Sequence, residues 1–279
     1  MIDIHAHILP NMDNGARNWN DTLMMAQKGA ECGTAVVVAT SYGNQNGQEG
    51  RKRVQIYRKQ IEKLRELLKK ARVSIEVIEG MEILAENDIV KKLESGELLT
   101  LNKTSYVLLE AQREDSAWFV YRILDKLLEH EFIPVLAHPE RYACVQQTPA
   151  HLQEWFDMGV VLQIDKGSVM GSFGKEARLK AEFMLQRGLA LIAASNACGV
   201  IHRDMRLDRF YQYLEEEYGT KTAKALLEEN PKRILKNQKV IPYFEKDILR
   251  EVHHWQLRHH HKIRSVFHQK YHRFFFYEG

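Results

Sequence analysis

The sequence predicts an α/β protein whose parallel strands form a closed or nearly closed β/α barrel. Short apolar runs rich in β-branched residues alternate with longer amphipathic segments along most of the chain. The runs are apolar almost throughout rather than alternating, which indicates strands that are covered on both faces. A chain of 279 residues is long enough for one such barrel. A doubly wound open sheet is the alternative architecture.

Strands and helices are predicted in strict alternation. Seven short apolar runs are predicted as strands: Ile2–Leu9, Ala35–Thr40, Val73–Gly80, Tyr106–Glu110, Phe132–Ala137, Val160–Ile164 and Leu189–Ser195. Between the strands, apolar residues recur at helical spacing and predict six helices: Asp21–Cys32, Arg51–Ala71, Asp88–Leu93, Ser116–His130, Pro149–Met158 and Lys175–Arg187. Strands joined through helical crossovers lie parallel to one another.

The composition excludes several classes of protein. The chain is 44% hydrophobic and 28% charged, and it has no apolar run of the length that crosses a bilayer, which argues against a disordered or membrane-spanning protein. Its three cysteines, Cys32, Cys144 and Cys198, are far apart and form no CxxC, so neither a disulfide framework nor a zinc ribbon is expected. The N-terminal residues do not resemble a secretory leader, and we therefore expect a cytoplasmic location.

The positive charge is concentrated in a C-terminal tail, residues 246–279, which follows a barrel domain of residues 1–245. The tail holds seven Lys and Arg against three Asp and Glu, whereas the rest of the chain holds 33 basic and 34 acidic residues. The barrel therefore lacks the positive field of a nucleic-acid-binding protein. Apolar residues at three- to four-residue spacing predict a basic amphipathic helix in the tail, suited to an anionic membrane surface or an acidic partner. A terminal helix docked on the barrel is the equal alternative.

Potential metal ligands fall in the first strand or near the carboxyl ends of later strands. They are His5, His7, Glu82, Glu110, His138, Asn196 and Cys198. In β/α barrels, active sites are built at this end of the strands. Each residue alone also fits an ordinary polar residue or a solvated strand end, but together they fit a metal centre better.

The residue types suit a pair of divalent ions. His5 and His7 are two residues apart in a strand, so that both imidazoles point to one face. Carboxylates such as Glu82 and Glu110, with an imidazole such as His138, suit Mn, Zn or Fe. A metal pair can supply a hydroxide nucleophile and stabilise a phosphoryl transfer.

Five segments together resemble the manganese-dependent bacterial tyrosine phosphatases of the polymerase and histidinol phosphatase (PHP) superfamily, which are associated with capsule and exopolysaccharide loci. The segments are His5-Ala-His7-Ile-Leu-Pro10-x-Met-Asp13-x-Gly15, Gly80-Met-Glu82-Ile, Ala137-His138-Pro-Glu-Arg141, Gly167-Ser-x-x-Gly-x-Phe-Gly174-Lys175 and Ala194-Ser-Asn-Ala-Cys198. The resemblance covers about residues 1–240. It implies a distorted (β/α)7 barrel, similar to a TIM barrel, with three metal ions.

The resemblance also implies a ligand set. The first ion would be bound by His5, His7, Glu82 and the residue at 196, and the second by Glu82, Glu110 and His138. The third would use Asp13 with the residues at 42 and 198. The family has histidine at 42, aspartate at 196 and histidine at 198, and this chain has Tyr42, Asn196 and Cys198.

These three substitutions weaken the expected centre to different degrees. Asn196 keeps a carbonyl oxygen but loses the negative charge. Tyr42 is a poor ligand while its phenol is neutral, and the Cys198 thiolate would favour Zn or Cu(I) over Mn. We therefore expect at most two ions, with Asn196, Asp13 and Cys198 as weak ligands.

Arginines and a glycine-rich segment are predicted to bind the substrate phosphate. Arg141 and Arg203 match two arginines that the family uses there, and guanidinium offers paired donors to phosphate oxygens. We expect Arg141 in a loop. Gly174 and Lys175 end the glycine-rich segment where a helix begins, and its backbone N–H groups would favour an anion. Solvated arginines and a plain glycine turn are the alternatives.

The resemblance implies hydrolysis of phosphotyrosine in proteins, with capsular or exopolysaccharide synthesis as the regulated process. We expect Mn²⁺ as the cofactor, with Fe or Zn as alternatives, and reduced activity because of the altered ligands. The partner would be a tyrosine-phosphorylated protein, such as a bacterial tyrosine kinase. Two other hypotheses are an inactive pseudophosphatase that binds phosphoproteins and a histidinol-phosphate phosphatase.

Overall fold

The computed structural model describes residues 1–44 and 50–243, whose strands form two parallel sheets. The first sheet has the order β1-β2-β3 and the second the order β4-β5-β6-β7-β8. The strands are β1 Ile2–Ala6, β2 Val36–Ala39, β3 Glu76–Glu79, β4 Glu82–Leu84, β5 Tyr106–Glu110, β6 Ile133–Ala137, β7 Val161–Asp165 and β8 Ala190–Ala194. Every paired neighbour is parallel, as the alternation of strands and helices predicted.

Single bridges connect the two sheets at both seams. Ala6 pairs with Ala197 on one side and Tyr42 with Glu82 on the other. At these seams His7 N donates to the Ala197 carbonyl at 2.7 Å, and Gly43 N donates to the Glu82 carbonyl at 2.8 Å. The bridges place β8 beside β1, and β4 beside the segment that follows β2, so the two sheets form an interrupted ring that is consistent with a distorted barrel.

The third predicted strand is divided, and this corrects the expected position of Glu82. The sequence predicted one strand over Val73–Gly80 with Glu82 after it, but β3 ends at Glu79 and Glu82 opens β4. The break falls at Gly80, where an added Cβ would lie 2.7 Å from a side-chain methyl group of Val38, so a larger residue would force that contact to shift. The bridge to Tyr42, which follows β2, nevertheless keeps Glu82 at the carboxyl end of the ring.

All six predicted helices are present, with ends within two residues of those expected. The helices are α1 Trp19–Glu31, α2 Arg51–Ala71, α3 Ile89–Glu94, α4 Ala117–Glu129, α5 Ala143–Gln147, α6 Ala150–Asp157, α7 Lys166–Val169, α8 Lys175–Gln186, α9 Asp208–Tyr218, α10 Thr220–Lys224 and α11 Asn230–Leu235. A π-helical turn, Ala225–Glu229, joins the last two. Arg141 was expected in a loop but ends a single 3-10 turn, Pro139–Arg141, because His138 in a left-handed conformation turns the chain there.

The strands are covered on both faces, as their apolar sequence indicated. Every residue of β7 and β8 is buried, and the core continues through Ile4 of β1, Leu108 of β5 and Leu136 of β6, none of which is exposed. Fully burying one such side chain contributes about 1.5–3 kcal/mol. Side chains at the strand ends are therefore held on a closely packed support.

The tail lies outside the described residues. The helix predicted within residues 246–279 is therefore neither supported nor contradicted. Within residues 1–44 and 50–243, no helix has the length and apolar composition needed to span a bilayer.

Candidate functional site

Two groups of possible metal ligands meet at the carboxyl end of the ring. The first consists of His5, His7 and Glu82, and the second of Glu82, Glu110 and His138. Within each group the donor atoms lie within 4.8 Å of one another. The structure thus brings together the residues that the sequence proposed for two ions, with Glu82 common to both.

Glu82 lies at the centre of the site and is fully buried. Its Oε1 lies 3.1 Å from His5 Nε2 and its Oε2 lies 3.0 Å from His7 Nε2. His138 Nε2 is 3.5 Å from Oε1 of both Glu82 and Glu110. Burial alone would raise the pKa of Glu82, but electrostatic attraction from His5 and the other close imidazoles outweighs it, so the pKa lies well below its usual range.

Several of these atoms are close together without being aligned for a hydrogen bond. Both Glu82 oxygens and His5 Nε2 are buried and have no hydrogen-bond partner of good geometry. Buried polar atoms are normally satisfied, and orphaned ones need a reason. Donor atoms that face a shared cation explain this geometry, so the residues present fit divalent ions.

The Nδ1 atoms of His5 and His7 are both held by hydrogen-bond partners. His7 Nδ1 donates to Asp13 Oδ2 at 2.8 Å. His5 Nδ1 lies 2.9 Å from Gln163 Oε1, and since an amide oxygen only accepts, this nitrogen carries the hydrogen. In both rings Nε2 is therefore left to face Glu82, which is how histidines that bind metals are usually held.

Two imidazoles hold protons tightly in the absence of an ion. Burial lowers the pKa of His7, but the hydrogen bond to Asp13 and the close Glu82 carboxylate outweigh it and raise the pKa to about 10. Burial also lowers the pKa of His138, but the charge of Asp165 and the close Glu82 carboxylate raise it to about 9. A cation that binds here must displace these protons.

Tyr42 occupies the site without offering a good ligand. Its hydroxyl donates to Glu110 Oε2 at 2.5 Å, and its ring centre lies 5.1 Å from that of His7. Burial and the charges of Glu82 and Glu110 raise the pKa of this phenol far above its usual value, so the phenol stays neutral.

Asp13 and Cys198, the other two residues proposed for a third ion, do not form a donor group within the described part of the chain. Asp13 accepts from His7, from Gly15 N at 2.8 Å and from Tyr42 N at 3.0 Å. Cys198 is partly exposed, and its backbone N–H donates to the Arg203 carbonyl. Among the described residues, neither Asp13 nor Cys198 belongs to a group of three or more neighbouring donors.

Asn196 is hydrogen-bonded to a carboxylate that the sequence interpretation missed. Its Nδ2 donates to Asp165 Oδ2 at 3.0 Å, and its Oδ1 accepts from Arg203. Asp165 is fully buried at the end of β7. The predicted strand stopped at Ile164, although an acidic residue directly after an apolar run is the same signal that identified Glu110.

Arg141 and Arg203 both contact the same aromatic ring. Their guanidinium carbons lie 4.4 Å and 5.6 Å from the centre of the Phe173 ring. Arg141 and Phe173, with Glu110 and His138, line a cleft of about 240 Å³. Two members of a metal-ligand group therefore form part of the wall of a cleft that also contains an arginine.

The glycine-rich segment contributes to this cleft through other residues than those proposed. Phe173 and Ala177 line it, whereas Gly174 and Lys175 are exposed at the start of α8 and are absent from the lining formed by the described residues. Gly174 precedes the helix with a φ of 89°, which suits glycine. Their role in binding phosphate stays a prediction.

Three residues of the site have a backbone conformation that side chains disfavour. The φ angles of His138, Asn196 and Arg203 are 37°, 46° and 52°. Such conformations cost about 1–3 kcal/mol each and persist where the surroundings impose them, often at functional sites.

Comparisons with known proteins agree with this geometry. Residues 1–236 match the family described as "Capsular polysaccharide synthesis, CpsB/CapC". Tyrosine-protein phosphatase YwqE of Bacillus subtilis is 31% identical over 86% of this chain and 93% of its own length, and tyrosine-protein phosphatase CpsB of Streptococcus pneumoniae is 28% identical over 85% and 99%.

A solved structure extends the similarity to the fold. One chain from the crystal structures of YwqE from Bacillus subtilis and CpsB from Streptococcus pneumoniae, described as metal-dependent tyrosine phosphatases, has a TM-score of 0.80 and 30% identity. The match covers 86% of this chain and 96% of that one. These matches confirm the PHP-type fold class, and the chain belongs to the CpsB/CapC family.

Proposed function

We propose that this protein is a metal-dependent protein-tyrosine phosphatase that hydrolyses phosphotyrosine and regulates capsular or exopolysaccharide synthesis. One observation carries the proposal: Glu110 and His138 belong both to a metal-ligand group and to the wall of the Arg141 cleft. The names of the relatives, which are tyrosine-protein phosphatases, support the same activity.

The two donor groups would hold the cofactor. His5, His7 and Glu82 would bind one ion, and Glu82, Glu110 and His138 the other, with Mn²⁺ as the proposed metal and Fe or Zn as alternatives. When bound, such ions lower the pKa of water and stabilise the charge of a transferring phosphoryl group. We propose at most two ions, with Asn196, Asp13 and Cys198 contributing weakly.

The chain's own residues would bind and orient the substrate. Arg141 faces the cleft and can give two parallel hydrogen bonds to phosphate oxygens. Phe173 contacts both guanidinium groups and limits their movement, so Arg203 would be held close to the same anion. Gly174 and Lys175 would add positive potential at the start of α8.

The substrate would be a tyrosine-phosphorylated protein, with a bacterial tyrosine kinase as the proposed partner. Activity would be lower than that of a phosphatase with a complete ligand set, because Tyr42 and Asn196 replace ionisable ligands with neutral groups. The proposed location is the cytoplasm, with the tail of residues 246–279 available for contact with a membrane surface or a partner.

The test combines metal analysis with hydrolysis of a phosphotyrosine peptide. Protein purified without chelator should contain up to two equivalents of metal and release phosphate from the peptide. His138→Gln should lose metal and activity, whereas His130→Gln, at an exposed helix end, should keep both. Metal binding without hydrolysis would favour the phosphoprotein-binding alternative, and preference for histidinol phosphate would favour the third hypothesis.

A further inference from the structure

Asp165 is a buried carboxylate at the centre of a hydrogen-bond network beside the two donor groups. Its Oδ1 accepts from Gln163 Nε2 at 3.1 Å. Its Oδ2 accepts from Asn196 Nδ2 at 3.0 Å and from Arg141 at 3.2 Å. The carboxylate therefore contacts the residue at the altered ligand position and an arginine of the cleft.

The partners of Asn196 fix which way its amide points. An arginine can only donate and a carboxylate can only accept, so the amide oxygen must face Arg203 and the amide nitrogen must face Asp165. The charge that the resembling family carries at position 196 is thus absent there. A carboxylate lies one hydrogen bond away, on the neighbouring strand end.

Asp165 also reaches the first ligand group through Gln163. The Gln163 amide nitrogen donates to Asp165 Oδ1 and to the Ile164 carbonyl, which turns its oxygen towards His5 Nδ1. This orientation makes Nδ1 a donor and leaves Nε2 of His5 facing Glu82. Outer partners of this kind hold a histidine in the form that binds metal.

The contacts of Asp165 compensate for the burial of its carboxylate. Both of its oxygens accept hydrogen bonds from amide groups, and Oδ2 also forms an ion pair with Arg141 at 3.2 Å. A buried carboxylate with a cationic partner and further hydrogen bonds can remain charged.

We propose that Asp165 supplies the negative charge that the metal centre lacks at position 196, acting as a positioning residue for His5, through Gln163, and for Arg141. The inference rests on the proposed metal centre and extends it to a residue outside the two donor groups. It implies that exchanging the two side chains, acid for amide, preserves the function of the pair.

The test is the affinity of the metal-free, full-length protein for Mn²⁺, measured by calorimetry. Asp165→Asn should weaken binding about 10- to 100-fold, the usual effect of losing an outer partner of a metal ligand. The exchange variant, Asp165→Asn with Asn196→Asp, should bind within about threefold of wild type, because it returns one carboxylate to the pair. Asp157→Asn removes another buried carboxylate, which accepts from Gln153, and should leave the affinity unchanged.

The outcomes separate this inference from the proposed function. Unchanged affinity in Asp165→Asn, or an exchange variant as weak as that single variant, would overturn the role of Asp165 while leaving the metal centre intact. Wild-type protein that binds no Mn²⁺, Fe or Zn would overturn both proposals. If Asp165→Asn does not fold, the exchange variant decides alone: affinity near wild type supports the inference, and a loss above tenfold refutes it.

Discussion

Raising the pH should strengthen metal binding and, over the same range, destabilise the metal-free protein. Both effects have one cause, the protons held by His7 and His138, whose pKa values are raised to about 10 and about 9. An ion that binds through these imidazoles releases a proton from each. Below the folded-state pKa, the affinity of each site should therefore rise about tenfold per pH unit.

The effect on stability has the opposite sign. An unfolded histidine has a pKa of 6.5, so the protonated contacts of His7 contribute fully below that pH and are lost as the pH rises towards about 10. Within this window, each pH unit lowers the free energy of unfolding by about 1.4 kcal/mol per group. Between about pH 6.5 and 8.5, the His7 contribution alone should therefore lower the free energy of unfolding of the metal-free protein by about 2–3 kcal/mol. Asp13 and Glu82, whose pKa values are lowered, are already ionised there and add no slope.

Two measurements test this reasoning. Urea denaturation of metal-free protein at about pH 6.5, 7.5 and 8.5 gives the free energy of unfolding, and Mn²⁺ calorimetry in two buffers of different ionisation enthalpy gives affinity and protons released. We expect about one proton per ion at pH 7.5. Affinity that does not change with pH, with no proton release, would show that the imidazoles are neutral before metal binds and would refute the argument.

The other predictions concern the altered positions, the division of the third strand and the tail. Tyr42→Phe should destabilise the metal-free protein by about 1–3 kcal/mol, because it removes the hydrogen bond to Glu110. Urea denaturation measures this change, and an unchanged urea midpoint would contradict the prediction. The triple variant Asn196→Asp, Tyr42→His, Cys198→His should gain a third metal equivalent and faster hydrolysis of a phosphotyrosine peptide; a third ion without faster hydrolysis would show that these positions do not limit the rate. Gly80→Ala should cost about 1–3 kcal/mol, because the added methyl meets Val38, while Gly29→Ala, with contacts of 3.4 Å, serves as its control. Removing residues 246–279 should leave a folded barrel that binds metal; unfolding on truncation would indicate a docked helix instead.

The strands and helices of the ring could be predicted because their apolar spacing reflects burial directly. The helix α2 was predicted with its observed bounds, and β5 likewise. The separation of β3 from β4 was not predicted; it falls at Gly80, whose close approach to Val38 joins segments far apart in the sequence. The helices α9 to α11 follow the last strand and were not proposed.

The donor residues of the site could be predicted from type and position, whereas their hydrogen-bond partners could not. Glu110 ends an apolar run and His138 follows one, while His5 and His7 form a His-x-His pair in or just after the first strand, so these signals are visible in the sequence. The link of Gln163 on β7 to His5 on β1 joins residues 158 positions apart, and only the folded structure reveals it.

The side chains at two altered positions, Tyr42 and Asn196, form hydrogen bonds with carboxylates of the site. Tyr42 donates to Glu110, and Asn196 donates to Asp165, so each neutral side chain holds a carboxylate that lies at the metal centre or beside it. Reverting one position alone therefore removes a hydrogen bond as well as adding a ligand, and the two effects oppose each other. This opposition, together with the need for two imidazoles beside Asp13, is why we expect the gain in the triple variant to exceed the sum of the single changes. The substitutions and the carboxylate at 165 are best understood as one rearrangement of charge within the site.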